Sequence, residues 1–253
     1  MASEKANQIM SELPLKDKTI LITGAARRIG AALARACANA GANIVIHYGR
    51  SQQEALALRD EIASMGRKVL LVQADLGKAR EAAEVIGRSA EAGPLYALVN
   101  SAAVFESLSM KQTTAADWER HMAVNLEAPF LLSRTFAAQV PVDQEGRVVN
   151  ILDWRALRPG ADHFPYSISK AALASMTKAM AAALAPNISV NGLALGAILP
   201  PSDNAAYADI LKNIPAGRWG ELREVESALL FLLAGPAYIT GEIIHVDGGR
   251  HLI

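Results

Sequence analysis

With 253 residues, of which 51% are apolar, the chain is long enough for one α/β domain with a large buried core. Its 25 basic and 25 acidic residues balance, which argues against nucleic acid or an anionic membrane as a partner. A single cysteine, Cys37, excludes a disulfide framework. It lies in an apolar helical pattern, which favours a core residue in a protein of the reducing cytoplasm.

Membrane and metal sites are not expected. Residues 1–14 are polar and carry both signs of charge, unlike a signal peptide. No apolar run approaches the ~20 residues that span a bilayer. The five histidines show no metal-ligand spacing.

Predicted strands and helices alternate along the chain. Residues 1–16 are expected to form a flexible tail, and residues 17–253 a single domain. Strands are predicted at residues 18–23, 43–48, 68–74, 95–100, 147–152, 188–193 and 242–246. Helices are predicted at residues 31–40, 52–65, 77–92, 115–139, 164–184 and 221–233, with Ser51 capping the second. This order predicts a Rossmann-type, doubly wound parallel sheet of about seven strands with helices on both faces. Residues 195–217, rich in proline and small residues, are predicted to form a substrate loop.

A glycine-rich turn follows the first predicted strand. Gly24 and Gly30 would let backbone N–H groups approach a pyrophosphate at the helix N-terminus. Position 28, where a glycine is expected, holds Arg28. Two glycines alone are a weak signal, which the position after the first strand of a βαβ unit strengthens.

The end of the second predicted strand indicates which nucleotide would bind. The chain reads His47-Tyr48-Gly49-Arg50-Ser51 there, without the acidic residue that holds a ribose 2′-hydroxyl. Arg50 and Ser51, with Arg27 or Arg28, could instead bind a 2′-phosphate. We therefore expect NADPH rather than NADH; the alternative is that Arg50 is an ordinary solvated arginine.

Tyr166 and Lys170 are four residues apart in an alanine-rich helical pattern, which places them on one helical face. A cation beside the phenol would lower the tyrosine pKa from about 10 and suit it to proton transfer. Asp153 ends the preceding apolar run. The three residues are predicted to meet in one pocket and protonate a substrate that receives a hydride.

The chain resembles the short-chain dehydrogenase/reductase family over about residues 18–249. The resemblance is carried by TGAARRIG (23–30), ADL (74–76), NSAA (100–103), MAVNL (122–126), YSISK (166–170), SVNGLALG (189–196) and VDGG (246–249). It implies that Asn125 completes the active site with Tyr166 and Lys170. It also implies a homotetramer built on the helices at 115–139 and 164–184. The cofactor-binding residues expected from the motifs and the resemblance are Gly24, Arg27, Arg28, Ile29, Gly30, His47, Tyr48, Arg50, Ser51, Asp75, Leu76, Asn100, Ser101, Ala102, Tyr166, Lys170 and Gly196.

The chain departs from the general family pattern at three places. Asp153 stands where the family has a catalytic serine, Arg28 replaces the middle glycine, and Leu195-Gly196 replaces Pro-Gly. The first two departures resemble the pteridine reductase and dihydromonapterin reductase branch. Phe105 matches an aromatic residue of that branch, and DGGRHLI (247–253) resembles its C-terminal tail.

An aspartate at position 153 suits a pterin better than a ketone. A carboxylate would repel the oxyanion that develops during carbonyl reduction. A pterin instead offers N–H donors on its pyrimidine edge, and its reduced bond is C=N. The expected substrate-binding residues are Arg28, Phe105, Asp153 and Tyr166, with Phe105 stacking on the pterin. The alternatives are that Phe105 belongs to the core and that Asp153 only caps a turn; Trp154 and Trp219 either line the pocket or pack.

The function expected from these features is NADPH-dependent reduction of a dihydropterin to a tetrahydropterin. A general reductase of ketones or 3-oxoacyl thioesters is the main alternative. A non-catalytic NADPH-binding protein is a third.

Overall fold

The computed structural model describes residues 13–199 and 211–253. The strands are β1 (Thr19–Ile22), β2 (Asn43–Tyr48), β3 (Val69–Gln73), β4 (Leu95–Asn100), β5 (Gly146–Asp153), β6 (Ile188–Leu195) and β7 (Ile243–Val246). The helices are α1 (Arg28–Asn39), α2 (Gln52–Ser64), α3 (Ala79–Arg88), α4 (Ala115–Met122), α5 (Ala128–Gln139), α6 (Phe164–Leu184) and α7 (Leu222–Ala234).

All the strand pairs are parallel, and the strands form one sheet in the order β3-β2-β1-β4-β5-β6-β7. The predicted seven-stranded, doubly wound sheet is therefore confirmed. The strand order reverses between β1 and β4, and the crevice beyond the carboxyl ends of such strands is where this architecture binds ligands.

The two faces of the sheet pack against separate helical layers. On one face, a row of apolar residues runs across five strands in register: Val45, Leu21, Leu98, Val148 and Val190. This row packs with buried residues of α3 and α5. On the other face, Ile20 and Ile22 pack with buried residues of α1, α2 and α7. Because alternate residues of β1 serve opposite layers, its last three residues, Ile20, Leu21 and Ile22, are all apolar and buried.

Cys37 is a core residue of α1, as expected. It is fully buried, and burial raises the pKa of its thiol to about 12. Such a thiol is inert as a nucleophile. Within the described ranges, no helix is both long and apolar enough to cross a bilayer.

Several boundaries differ from the predicted ones. Leu15, assigned to the tail, is buried and donates its N–H to the carbonyl of Ala40 at 2.9 Å, so the packed domain begins before residue 17. The Ser51 side chain forms no capping hydrogen bond with α2. Most of the tail and residues 200–210 of the predicted substrate loop lie outside the described residues.

The helix predicted at residues 115–139 is interrupted in the middle. A π-helical turn, Ala123–Glu127, separates α4 from α5. The prediction of one continuous helix at residues 115–139 did not resolve this turn, which adds a single residue to the helix. Asn125 lies in this turn.

Candidate active site

A cavity of about 1030 Å³ opens at the carboxyl ends of the strands. Most of the predicted site residues line it: Gly24, Arg27, Arg28, Ile29, Gly30, His47, Arg50, Asp75, Leu76, Ser101, Ala102, Phe105, Asp153, Tyr166 and Gly196. The remaining predicted residues do not line it: Tyr48, Ser51, Asn100, Asn125 and Lys170. The structure thus places most of the motif residues around one cavity.

The glycine-rich turn is fixed from two sides. The Thr23 hydroxyl accepts the N–H groups of Ser101 and Ala102 at 2.9 and 3.0 Å, which joins the ends of β1 and β4. The Gly24 N–H donates to Nδ1 of His47 at 3.1 Å, and Nε2 of His47 lies 3.2 Å from the Ala74 carbonyl. Sequence reasoning gave Thr23 no role, although it opens the TGAARRIG motif.

The hydrogen bonds of His47 require its neutral form. Nδ1 accepts from Gly24, so the ring proton must lie on Nε2, which donates to Ala74. Burial lowers the pKa of His47 from 6.5 to about 4, so the imidazole stays neutral at physiological pH.

Arg28 adopts a left-handed backbone conformation with φ +51°. This explains why a glycine is expected at the position, since a side chain there is strained by ~1–2 kcal/mol. The arginine side chain lines the cavity beside Gly24 and Gly30. Strain of this kind persists where the surrounding structure or a function maintains it.

Tyr166 and Asp153 meet at the other end of the cavity. The Tyr166 hydroxyl donates to Oδ2 of Asp153 at 3.3 Å. The second oxygen, Oδ1, accepts the backbone N–H of Arg155 at 2.9 Å and lies 3.6 Å from the Arg155 guanidinium. Asp153 therefore caps a turn, as the alternative reading proposed, and contacts the tyrosine with its other oxygen.

The pKa of Tyr166 is raised well above its ordinary value, contrary to the sequence-based expectation that it would be lowered. Burial of the phenol is the largest cause, and the negative charge and hydrogen bond of Asp153 add to it. The expectation considered the cation of Lys170 but neither of these effects. In this protein Tyr166 is a neutral hydroxyl at physiological pH.

Lys170 lies behind Tyr166 and is almost completely buried. Its Nζ donates to the carbonyl of Ile151 at 2.7 Å and lies 5.9 Å from the centroid of the Tyr166 ring. Burial lowers the pKa of Lys170 to about 8, and Asp153 opposes this change. The Lys170 ammonium group thus lies near the ring of Tyr166, and Asp153 accepts a hydrogen bond from the hydroxyl of the same residue.

Asn125 holds the loop that carries Phe105. Its Oδ1 accepts the N–H of Val104 at 2.8 Å, and its Nδ2 donates to the Val104 carbonyl at 3.0 Å and to Oγ of Ser169 at 2.9 Å. The amide therefore links the π-helical turn to α6 and to the irregular segment after β4. Asn125 is a positioning residue in this arrangement.

Asn100 was expected to bind the cofactor, but it does not line the cavity and instead forms hydrogen bonds within the core. Its Nδ2 donates to Oδ1 of Asn150 at 2.8 Å, and Nδ2 of Asn150 donates to Oγ1 of Thr177 at 2.9 Å. This buried network ties the ends of β4 and β5 to α6. Asn150 and Thr177 carry no motif and were not predicted.

Phe105 is a cavity residue and not a core residue, since 55% of it is exposed. Its ring stacks on His163 with 4.2 Å between centroids and meets Tyr166 edge-on at 4.7 Å. His163 therefore covers one face of the ring that was expected to stack on a substrate.

Of the two alternatives for Trp154 and Trp219, lining the pocket or packing, the structure shows that both residues line the cavity. Arg155 and Arg250 line the same end and were not predicted. Their only signals in the sequence were the position of Arg155 next to Trp154 and that of Arg250 in the C-terminal DGGR segment.

The nucleotide end of the cavity fits a 2′-phosphate. Arg50, Arg27 and Arg28 line it, and Arg27 lies 3.6 Å from Glu54 on α2. No acidic side chain follows β2 at Gly49-Arg50-Ser51 to receive a 2′-hydroxyl. Gly49 and Arg50 are both exposed, so an additional anion can approach the arginine.

Comparison with known proteins agrees with this geometry. A family profile described as enoyl-(acyl carrier protein) reductase matches residues 24–251. A 3-oxoacyl-[acyl-carrier-protein] reductase of Synechocystis is 32% identical, over 93% of this chain and 97% of the relative. The corresponding enzyme of Aquifex aeolicus is 34% identical, over 94% and 99%.

Solved structures extend the comparison. FolM alternative dihydrofolate reductase 1 from Brucella canis, complexed with NADP, is 36% identical, with a TM-score of 0.87 over 93% of this chain and 95% of that one. A short-chain dehydrogenase from Burkholderia cenocepacia, in complex with NADP, is 32% identical, with a TM-score of 0.88 over 94% and 99%. Together with the parallel sheet and the Tyr166/Lys170 geometry, these matches identify the chain as a member of the short-chain dehydrogenase/reductase family.

Proposed function

We propose that the protein reduces a dihydropterin to a tetrahydropterin, with NADPH as the reductant. The observation that carries the proposal is the contact of 3.3 Å between the Tyr166 hydroxyl and the Asp153 carboxylate. Both groups line the cavity at the end opposite to the arginines of the nucleotide site.

The cofactor is NADPH, because the solved relatives with NADP share the fold that builds this cavity, and this chain offers arginines rather than a carboxylate after β2. When bound, NADPH supplies the hydride. The backbone N–H groups around Gly24 and Gly30 and the N-terminus of α1 would hold its pyrophosphate, and Arg50 its 2′-phosphate.

The side chains of the cavity would orient the substrate and supply its proton. Asp153 is largely buried, with 15% of its side chain exposed, and it accepts hydrogen bonds. It would orient a pyrimidine ring by accepting from its N–H groups. Tyr166, kept neutral by burial and by Asp153, carries a proton that it can donate to a ring nitrogen. Phe105 would bound the substrate on one side with its exposed ring.

A reductase of 3-oxoacyl thioesters is the second candidate, and the names of the Synechocystis and Aquifex relatives favour it. The carboxylate of Asp153 argues against it. Oxyanion stabilisation needs donors aimed at the developing charge, and a carboxylate beside Tyr166 would repel that charge.

The cellular setting completes the proposal. We propose a cytoplasmic homotetramer that associates through α4, α5 and α6. Exposed aromatic residues on the first two of these helices, Trp118 and Phe130, support such contacts. Light scattering of the purified protein would give the mass of the assembly.

The test is NADPH oxidation measured side by side with a dihydropterin and a 3-oxoacyl thioester. We expect turnover of the dihydropterin and little turnover of the thioester. Asp153→Ser should lower dihydropterin turnover and raise turnover of carbonyl substrates. Exclusive turnover of the thioester by the wild-type protein would refute the proposal.

A further inference from the structure

Two arginines contact one tryptophan at the substrate end of the cavity. The guanidinium carbon of Arg250 lies 4.3 Å from the centroid of the Trp154 ring, and that of Arg155 lies 4.8 Å from it. All three residues line the cavity that Asp153 and Tyr166 also line. The cavity thus contains a cationic region beside the reacting groups, in addition to the arginines of the nucleotide end.

The two arginines differ in their partners. Arg155 is paired with carboxylates, at 2.7 Å from Asp162 and 3.6 Å from Asp153. Among residues 13–199 and 211–253, by contrast, no carboxylate forms an ion pair with Arg250. The buried Nε atoms of both arginines have no hydrogen-bond acceptor within these ranges. A partly buried guanidinium without a counter-ion is unfavourable.

The surroundings of Arg250 make its charge less stable. The pKa of Arg250 is lowered, first by burial and then by the positive charge of Arg155. Asp153, Asp162 and Asp247 attract it from greater distances and only partly offset this. An anion bound in the cavity beside Arg250 would neutralise this positive charge.

The backbone holds Arg250 in place. A short 3-10 turn, Arg250–Leu252, follows Gly249, which has φ +83°. The buried carboxylate of Asp247 accepts the N–H groups of Gly249 and His251 at 2.9 Å each, and His251 also contacts it through Nδ1. The indole of Trp154 supports the guanidinium plane, so the side chain is prearranged to receive a ligand.

We propose that Arg250 is a specificity-determining residue that binds an anionic group, a carboxylate or a phosphate, on the side chain of the substrate. This inference rests on the proposed reduction of a dihydropterin and states which dihydropterins the site prefers. Carboxylates and phosphates share the chemistry that matters here, because each offers two oxygens to the planar N–H donors of a guanidinium. Asp153 would hold the ring, and Arg250 would hold the tail.

The test compares three dihydropterins that differ only in the side chain: a neutral hydroxylated one, one with a carboxylate and one with a phosphate ester. Michaelis constants are measured for the wild-type protein, Arg250→Met and Arg250→Lys. Arg80→Met is the matched control, since Arg80 is 92% exposed and pairs with Glu84 on α3. The Michaelis constant for NADPH is measured for every variant.

We expect Arg250→Met to raise the KM for at least one anionic substrate by about 10- to 100-fold, the effect of losing a hydrogen bond to a charged group. The KM for the neutral substrate and for NADPH should change less than about twofold. Arg250→Lys should restore part of the loss, because it keeps the charge. The anionic substrate with the larger response identifies the group as carboxylate or phosphate.

Equal effects of Arg250→Met on all three substrates would overturn the inference and assign Arg250 to the packing of Trp154. If Arg250→Met does not fold, the wild-type protein still decides. Its KM for an anionic substrate should rise with ionic strength more steeply than that for the neutral one, and equal salt dependence would refute the role. Failure of the proposed function is distinct, because it would appear as an absence of turnover with all three dihydropterins.

Discussion

Asp153 uses its two oxygens for different tasks: Oδ2 accepts the hydroxyl of Tyr166 at 3.3 Å, and Oδ1 accepts the backbone N–H of Arg155 at 2.9 Å. The second bond fixes the carboxylate at the end of β5, and the first therefore has a defined geometry. A residue that merely capped the turn would leave Tyr166 without this acceptor. Burial is the first cause of the raised pKa of the tyrosine; the contact with Asp153 adds to that rise and orients the hydroxyl.

Asp153→Asn tests this pair. The amide can still cap the turn, but it removes the negative charge that raises the pKa of Tyr166, so that pKa should fall. Dihydropterin turnover should fall by about 10- to 100-fold, the effect of losing charge-assisted hydrogen bonds to the pterin N–H groups. Ultraviolet titration of the phenol and steady-state kinetics give the two results.

The control for Asp153→Asn is Asp162→Asn, because Asp162 also pairs with Arg155 and is not a hydrogen-bond partner of Tyr166. It should leave the tyrosine titration unchanged. A tyrosine pKa that moves equally in both variants would mean that the effect passes through Arg155.

We expect the backbone of Arg28 to be strained and its side chain to contribute to NADPH binding. Glycine accepts φ +51° freely, whereas alanine keeps the strain and loses only the guanidinium. We expect Arg28→Gly to be about 1 kcal/mol more stable than Arg28→Ala, measured by urea denaturation. Both variants should bind NADPH more weakly than the wild-type protein to a similar degree; equal stabilities would show that the backbone relaxes without cost.

His47 should make the protein sensitive to mild acid. Its pKa falls from 6.5 in the unfolded chain to about 4 in the folded protein, so between these values the unfolded state binds more protons. The contribution of His47 to the free energy of unfolding is fully present above pH 6.5 and is lost as the pH falls towards 4. The total loss is about 3 kcal/mol.

Denaturation of wild-type protein and His47→Asn at several pH values measures this contribution. The asparagine Oδ1 can accept from Gly24 and does not titrate in this range. The difference in unfolding free energy between the two proteins should therefore move in favour of the variant as the pH falls. Parallel pH profiles would contradict the assignment to His47.

Arg50 should set the preference for the phosphorylated cofactor. Arg50→Ala is expected to raise the KM for NADPH by about 10- to 100-fold, through loss of a charge-assisted hydrogen bond, and to leave the KM for NADH unchanged. Arg59→Ala is the control, since Arg59 is an arginine of α2 that pairs with Asp60. A proportional rise for both cofactors would indicate damage to the whole nucleotide site.

Much of the fold was accessible from the sequence because it rests on patterns that local chemistry imposes. In β1, for example, Ile20, Leu21 and Ile22 are apolar because both faces of the sheet are covered. Gly41 and Gly66, each with a positive φ, follow the ends of helices. The interruption of the helix around Asn125 was missed, because the residues on both sides of the added residue are helical. Pro129 was a local signal, since it has no N–H to bond the carbonyl of Asn125.

The site was predictable where a residue type is tied to a motif and not where it depends on three-dimensional neighbours. Tyr166 and Asp153 were found by spacing, and Phe105 by its match to an aromatic residue of the family branch. The direction of the tyrosine pKa shift was not, because it is set by burial and by a carboxylate from another element. Arg250 is remote in sequence from Trp154, and only the fold brings them together.

The glycine-rich turn has a consequence for the speed of nucleotide binding. Thr23 ties the start of the turn to the end of β4, and His47 holds Gly24 from β2. The loop is therefore already ordered in the free protein and loses little conformational entropy when the nucleotide arrives. Association is then governed by diffusion and by the attraction of the arginines for phosphate, and it needs no slow folding of the loop.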